Sequence, residues 1–160
     1  MKKRWVFLLA LFLLTSCSNQ VNHSTVESPD NLPNFFNEQD LEKIDWNKQA
    51  KILENKNMIG NENKLGVIGA NMPSLNGQKW MWHLWGIQPK ELTIIGFHKE
   101  TNTIYPILKD EQWTIEMAGA LNGADAHKPS SVEIPQKGEW AFLTYTDGKL
   151  FDILVHHIEH

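Results

Sequence analysis

The stretch Trp140-Ala141-Phe142-Leu143-Thr144-Tyr145-Thr146-Asp147-Gly148-Lys149-Leu150-Phe151-Asp152-Ile153-Leu154-Val155 decides the fold class. Two apolar runs rich in aromatic and β-branched residues flank an Asp-Gly pair. Those two residues accept positive φ at both centres of a two-residue hairpin turn. Trp140–Tyr145 and Leu150–Ile158 are therefore expected to pair. Side-chain alternation puts Phe151, Ile153 and Val155 on one side and Asp152, Leu154 and His156 on the other.

Upstream the chain keeps this texture of short apolar runs broken by turn residues, the pattern of many short strands. Glu91–Lys99 carries Leu92, Ile94 and Gly96 on one face and Thr93, Ile95 and Phe97 on the other; two apolar faces predict a central strand. Lys79–Gly86 is a strongly aromatic strand closed by Pro89. Lys51–Asn55 and Leu65–Ala70 are read as opening strands joined through Gly60-Asn61-Glu62-Asn63. Thr103–Leu108 and Gln112–Met117 are expected to pair across Lys109-Asp110-Glu111, with Pro106 confining the first to an edge. Gly119–Ser130 reads as a long irregular connection before a strand at Val132–Ile134. Residues 38–54 show only a broken 3.6-residue stripe of Leu41, Ile44, Lys48 and Ile52, and are read as loop. The body, residues 46–160, is all-β, most simply two stacked antiparallel sheets.

The head of the chain has a different grammar. Lys2, Lys3 and Arg4 precede an apolar run, Trp5–Leu14, about half the ~20 residues that a spanning helix needs. It reads as an export signal over residues 1–16. Leu14-Thr15-Ser16-Cys17 resembles the lipobox of bacterial lipoproteins, in which the cysteine sulfur takes a diacylglycerol and becomes the new N-terminus; only a nucleophilic thiol suits that step. Cys17 is thus the expected lipidation site, and the outer face of the cytoplasmic membrane the expected address. Residues 17–45, with scattered Leu32, Phe35, Phe36, Leu41 and Ile44, are read as a lipidated tether with a reach of up to roughly 100 Å.

Charge narrows the partners. The net charge is −4, and loss of the basic head would leave 12 basic against 19 acidic residues, or −7. An acidic body does not suit nucleic acid or non-specific adhesion to an anionic membrane. A hydrophobic share of 41% is too high for wholesale disorder, and one cysteine excludes an internal disulfide framework and a cysteine-based zinc cluster.

At Met58-Ile59-Gly60 and Lys64-Leu65-Gly66, at Lys79-Trp80-Met81-Trp82-His83-Leu84-Trp85-Gly86, and at Leu121-Asn122-Gly123-Ala124-Asp125-Ala126-His127-Lys128-Pro129-Ser130 with Pro135, Gly138, Glu139 and Trp140 after it, the chain resembles one known group. These are lipoproteins and secreted proteins of spore-forming bacilli that share an immunoglobulin-like β-sandwich of unknown function. The resemblance implies that fold over about residues 46–160. It implies no activity, cofactor or site residue.

Two constellations are candidate sites. On the aromatic strand Trp80, Trp82 and Leu84 share one face, and Met81, His83 and Trp85 the other. Trp82 suits the inter-sheet indole of immunoglobulin-like domains. His83 and Trp85 would then face solvent as a sugar-stacking platform, or lie covered by the tether or a neighbouring loop. In the loop, Asn122, Asp125 and His127 stand among small residues: Asp125 and His127 either orient one another for catalysis or cation binding, or serve turns and crossover structurally. Ser130 with His127 and Asp125 lies too close in sequence for an easy triad, and there is no G-x-S-x-G elbow. The tail His156-His157-Ile158-Glu159-His160 has no ligand spacing on a strand, since His156 and His157 point to opposite faces. A copper site built from Met58, Met72, Met81 or Met117 with these histidines likewise lacks paired spacing. No metal, no cofactor and no catalytic residue is assigned. Three readings remain open: a non-catalytic accessory lipoprotein that binds a protein or envelope component, a module for wall glycan, and a metal-dependent or acid–base enzyme using Asp125 and His127.

Overall fold

A computed structural model describes residues 25–54, 57–70 and 75–159. The signal segment, Cys17, Met72 and His160 lie outside the described residues. The architecture is the expected antiparallel two-sheet sandwich. Its strands are β1 (Lys51–Leu53), β2 (Met58–Asn61), β3 (Leu65–Ile68), β4 (Gln78–Leu84), β5 (Glu91–His98), β6 (Thr103–Pro106), β7 (Thr114–Glu116), β8 (Ala126–Val132), β9 (Gly138–Thr146) and β10 (Lys149–Ile158). Sheet I has the order β1-β2-β3-β4-β8. Sheet II has the order β10-β9-β5-β6, with β7 pairing β5 beside β6.

The β9–β10 hairpin forms as its turn chemistry requires: Asp147 (φ 48°) and Gly148 (φ 78°) both take the left-handed conformation. Its alternation holds with one correction. A register shift between Leu150 and Asp152 sends Phe151 toward the inter-sheet core, while Ile153 and Val155 pack on the outer face. β5 is central, flanked by β9 on one side and by β6 and β7 on the other. Thr103–Leu108 and Gln112–Met117 therefore both pair mainly with β5, and only Leu108 and Gln112 bridge each other. Two further strands were not anticipated. Met58–Asn61 forms β2 between the two expected opening strands, and Ala126–Val132, expected mostly as loop, is β8 against β4.

Between the sheets lie Trp80, Trp82, Leu84, Leu92, Ile94, Trp140, Phe142 and Leu154, all fully buried. Trp82 fills the expected central position against Trp80, and its indole Nε1 donates to Ser130 Oγ at 2.9 Å, which satisfies its buried polar edge. Gly96 is required here. A Cβ would stand 2.5 Å from Ile107 Cγ2 and 3.2 Å from the Trp140 ring.

A second core lies on the outer face of sheet II, and it revises the reading of residues 25–45 as tether. Ile95, Phe97, Ile104, Trp113, Leu143, Tyr145 and Val155 are covered by Val26, Leu32, Phe36, Leu41, Ile44 and Trp46. This strap starts beside the β5–β6 turn, where Asn102 Nδ2 donates to the Thr25 carbonyl. It rises until Phe35 packs over Gly148, and returns until Trp46 meets Phe97. A 3-10 helix, Glu38–Lys43, begins at Asn37, whose side chain accepts from the Gln39 N–H. It delivers the buried Asp40 carboxylate, which accepts from the Tyr145 hydroxyl (2.9 Å) and from Lys43 Nζ (2.7 Å). Burial, with the Asp40 carboxylate beside it, pushes the Tyr145 phenol above its ordinary range, so it remains the donor. Residues 25–45 thus belong to the folded body because the exposed apolar face of a two-layer sandwich needs a third layer.

Candidate functional site

The candidate residues gather on the outer face of sheet I. Gly60, Gly66, His83 and His127 are successive partners across β2, β3, β4 and β8, and so share that face. The two glycines leave a shelf beside two imidazoles. Over it folds Trp85: a Cβ on Gly66 would stand 3.0 Å from Trp85 Cζ3, 3.0 Å from Leu53 Cδ1 and 3.1 Å from Met58 Sδ. A small apolar cluster therefore stands where the sugar-stacking alternative would need an open platform.

His83 is fully buried, contrary to the exposed alternative. An imidazole nitrogen facing a carbonyl must carry the hydrogen, so Nδ1 donates to the Met81 carbonyl (3.1 Å) and Nε2 accepts from Asn122 Nδ2 (3.1 Å). Its ring stacks on Trp85, with centroids 6.2 Å apart and planes at 24°. Trp85 is half-buried, and its Nε1 donates to the Gly123 carbonyl at 2.7 Å. The loop Ala118–Asp125 thus covers this histidine, as the covered alternative required.

Asp125 and His127 do not serve one another. Asp125 Oδ2 accepts from the Gly86 N–H at 2.6 Å, tying the loop to the β4–β5 connection. His127 Nδ1 donates to the Gly119 carbonyl at 2.7 Å. Asn122 and Asp125 reach other segments and not local turns, while His127, on β8, ties the crossover to the sheet as the structural alternative had it. Ser130 stands on the core face of β8 under Trp82, opposite to His127, so no Ser-His-Asp arrangement forms. At the far end of the sheets His157 Nδ1 bonds Glu139 Oε1 (2.6 Å) while His156 turns inward, where burial holds its pKa below the ordinary value. Among the described residues no three His, Cys, Asp or Glu side chains come together in a way that could hold a metal ion.

Sequence reasoning missed a second group of polar residues at the side of the sandwich. Asn61 Nδ2 crosses from sheet I to sheet II, donating to Asp152 Oδ2 (2.7 Å) and to the Ile153 carbonyl (2.9 Å), while Lys64 Nζ lies 3.7 Å from Asp152 Oδ1. Nothing local marks these residues; they meet only once β2 is recognised as a strand.

With this geometry in hand, the chain can be set beside known proteins. No curated protein matches it. The crystal structure of a putative lipoprotein from Bacillus anthracis shares the fold, with a TM-score of 0.65 at 22% identity over 81% of this chain and 97% of that one. Residues 35–156 match the family described as a domain of unknown function, DUF4871, which takes in both the returning limb of the strap and the two sheets. The chain belongs to the DUF4871 family.

Proposed function

We propose that this protein is a lipid-anchored, extracytoplasmic binding domain that recognises a protein or envelope component and carries out no reaction. The observation that carries binding over catalysis is the state of Asp125 and His127. The carboxylate and the imidazole each hold a backbone group on a different segment, so they do not form the mutually oriented acid–base pair that the enzyme alternative requires. They act as scaffold that fixes the loop above Trp85. The glycan alternative has less support: stacking modules expose flat rings, whereas Trp80 and Trp82 lie inside and Trp85 is half-covered.

Anchoring rests on the Leu14-Thr15-Ser16-Cys17 string, and the likeness to a structure described as a lipoprotein agrees with it. Cells fed an alkyne analogue of palmitate provide the test. The wild-type chain is expected to take the label and fractionate with membranes. Cys17→Ala is expected to lose the label and leave that fraction. Equal labelling of the two chains would refute the anchor.

A further inference from the structure

Two open sheets have four edges, and each edge offers backbone N–H and C=O groups to any strand that arrives. The chain itself occupies three of them. At β6, Glu27 donates to the Asn102 carbonyl (3.1 Å) and accepts from the Ile104 N–H (2.7 Å). At β10, the Ala50 N–H donates to the Val155 carbonyl (2.7 Å). At β8, Ala118 and His127 exchange both backbone bonds, the Glu133 N–H donates to the Ile107 carbonyl, and Pro129 has no N–H to offer. β1 differs. Among the described residues, no group bonds the outward backbone of Lys51, Ile52 or Leu53.

The side chains at this edge show what is missing. Ile52 is in register with Ile59, then Val67, then Trp82, so it continues a buried row of the inter-sheet core. Yet it is 77% exposed, against 40% for Leu121, the next most exposed large apolar side chain among the described residues. Lys51, one residue earlier, points to the opposite face. Beside them runs a cleft of about 650 Å3 lined by Lys48, Lys51, Ile52, Leu53, Asn61 and Lys64, with Glu54 and Glu62 also on its walls. Lys43 and Lys64 have carboxylate partners in Asp40 and Asp152, while Lys48 and Lys51 have none among the described residues. With Lys64 held by Asp152, Lys48 and Lys51 are the lining's unpaired cations among the described residues, and Lys51 stands on the open strand itself.

We propose that the free edge of β1 takes up an extended segment of a partner polypeptide by strand addition, its side chains alternately apolar, to cover Ile52, and acidic, to meet Lys51 and Lys48. Alternation in the partner follows from alternation in β1, since Ile52 and Lys51 stand on opposite faces. Three residues of edge limit the pairing to a short strand, and Lys51 deters partners without a matching charge. This deepens the binding role proposed above by naming its surface and partner chemistry, and it does not depend on the anchor.

The test uses the full chain in detergent micelles, titrated by fluorescence anisotropy with a blocked peptide of alternating valine and glutamate and with its valine–lysine counterpart. The glutamate peptide is expected to bind and the lysine peptide not. Ile52→Asp is expected to weaken binding roughly tenfold or more, the loss that follows from uncovering one aliphatic side chain. Lys48→Glu combined with Lys51→Glu is expected to reverse the preference between the peptides. N-methylation of the glutamate peptide along one edge is expected to abolish binding, which a purely ionic contact would survive. Ile52→Thr keeps the β-branched shape and serves as a second variant should the aspartate perturb the fold. Equal binding of both peptides, no binding of either, or unchanged binding in both Ile52 variants overturns the proposal. So does a dimer of the chain alone that Ile52→Asp dissociates, because the edge would then belong to a second copy. Labelling of Cys17 is scored separately, so failure here and failure of the anchor are distinguishable.

Discussion

The two outer faces of the sandwich are covered by unlike means. Over sheet II lies the strap, which sets Val26, Leu32, Phe36, Leu41, Ile44 and Trp46 against an apolar face and adds the Asp40–Tyr145 bond within it. Over sheet I lies the loop Ala118–Asp125, which sets polar atoms of Asn122, Gly123 and Asp125 against His83, Trp85 and Gly86 above a shelf of glycine. An apolar cover contributes burial free energy to the whole fold. A polar cover exchanges protein bonds for water bonds at little net gain, and so fixes a local shape more than it stabilises the domain. The contrast separates what holds this protein together from what gives its surface a form.

Removing the strap should have the largest effect. A chain begun at Trp46 uncovers the face of Ile95, Phe97 and Tyr145, and partial burial lost from five apolar side chains costs about 5 kcal/mol. Thermal unfolding should show a loss of cooperativity or a much lower Tm than for a chain begun at Thr25; equal Tm values would restore the boundary at residue 46. Next comes Asp40→Ala, which leaves the Tyr145 hydroxyl buried without its acceptor and costs about 1–3 kcal/mol. The same pair carries a pH signature. Folding raises the Tyr145 pKa, so the unfolded chain ionises first, and stability is lost as pH climbs past the ordinary phenol value of about 10. Urea titrations at rising pH should show this loss in the wild type and less of it in Tyr145→Phe.

On the other face effects should shrink. Gly66→Ala brings a methyl to 3.0–3.1 Å from Leu53, Trp85 and Met58, which must each give a little, at a cost of about 1 kcal/mol and a shift in Trp85 fluorescence. Asn122→Ala should be the mildest. Asn122 is exposed, so water can take its place on His83 Nε2, which limits the cost to about 1 kcal/mol or less; amide exchange at Gly123–Asp125 should quicken with Tm nearly unchanged. A fall in Tm as large as that of Asp40→Ala would erase the distinction between the two covers.

The legible parts of this fold are those with a local cause. Asp147-Gly148 needs no tertiary help to make its turn, β5 announces a central position by being apolar on both faces, and Trp82 lies on the core face that its alternation assigns. The strap had no such signal. Its apolar residues are spaced to fit the surface of sheet II, and so follow neither the helical nor the strand period. β8 was hidden because it is an edge strand whose Lys128 and Pro129 break the apolar pattern, and β2 because Gly60 and Asn61 look like turn residues. The sequence sets Asn122, Asp125 and His127 in one loop and leaves their role open between chemistry and structure. Sequence places Asp125 near His127, but only the fold shows that each is aimed at a backbone group elsewhere.

The strap also sets how far the body can stand from a bilayer. If the sulfur of Cys17 carries the lipid, only the eight residues 17–24 separate it from Thr25, where the chain is already fastened beside Asn102. Fully drawn out they span about 28 Å, less than a third of the freedom that an unbound leader of 29 residues would give. The β5–β6 turn would then stay close to the phospholipid, with the Trp85 loop and the hairpin tip at Asp147 a β5 length away from it. On that reading the first described residue, Thr25, would stand within about 28 Å of the bilayer surface.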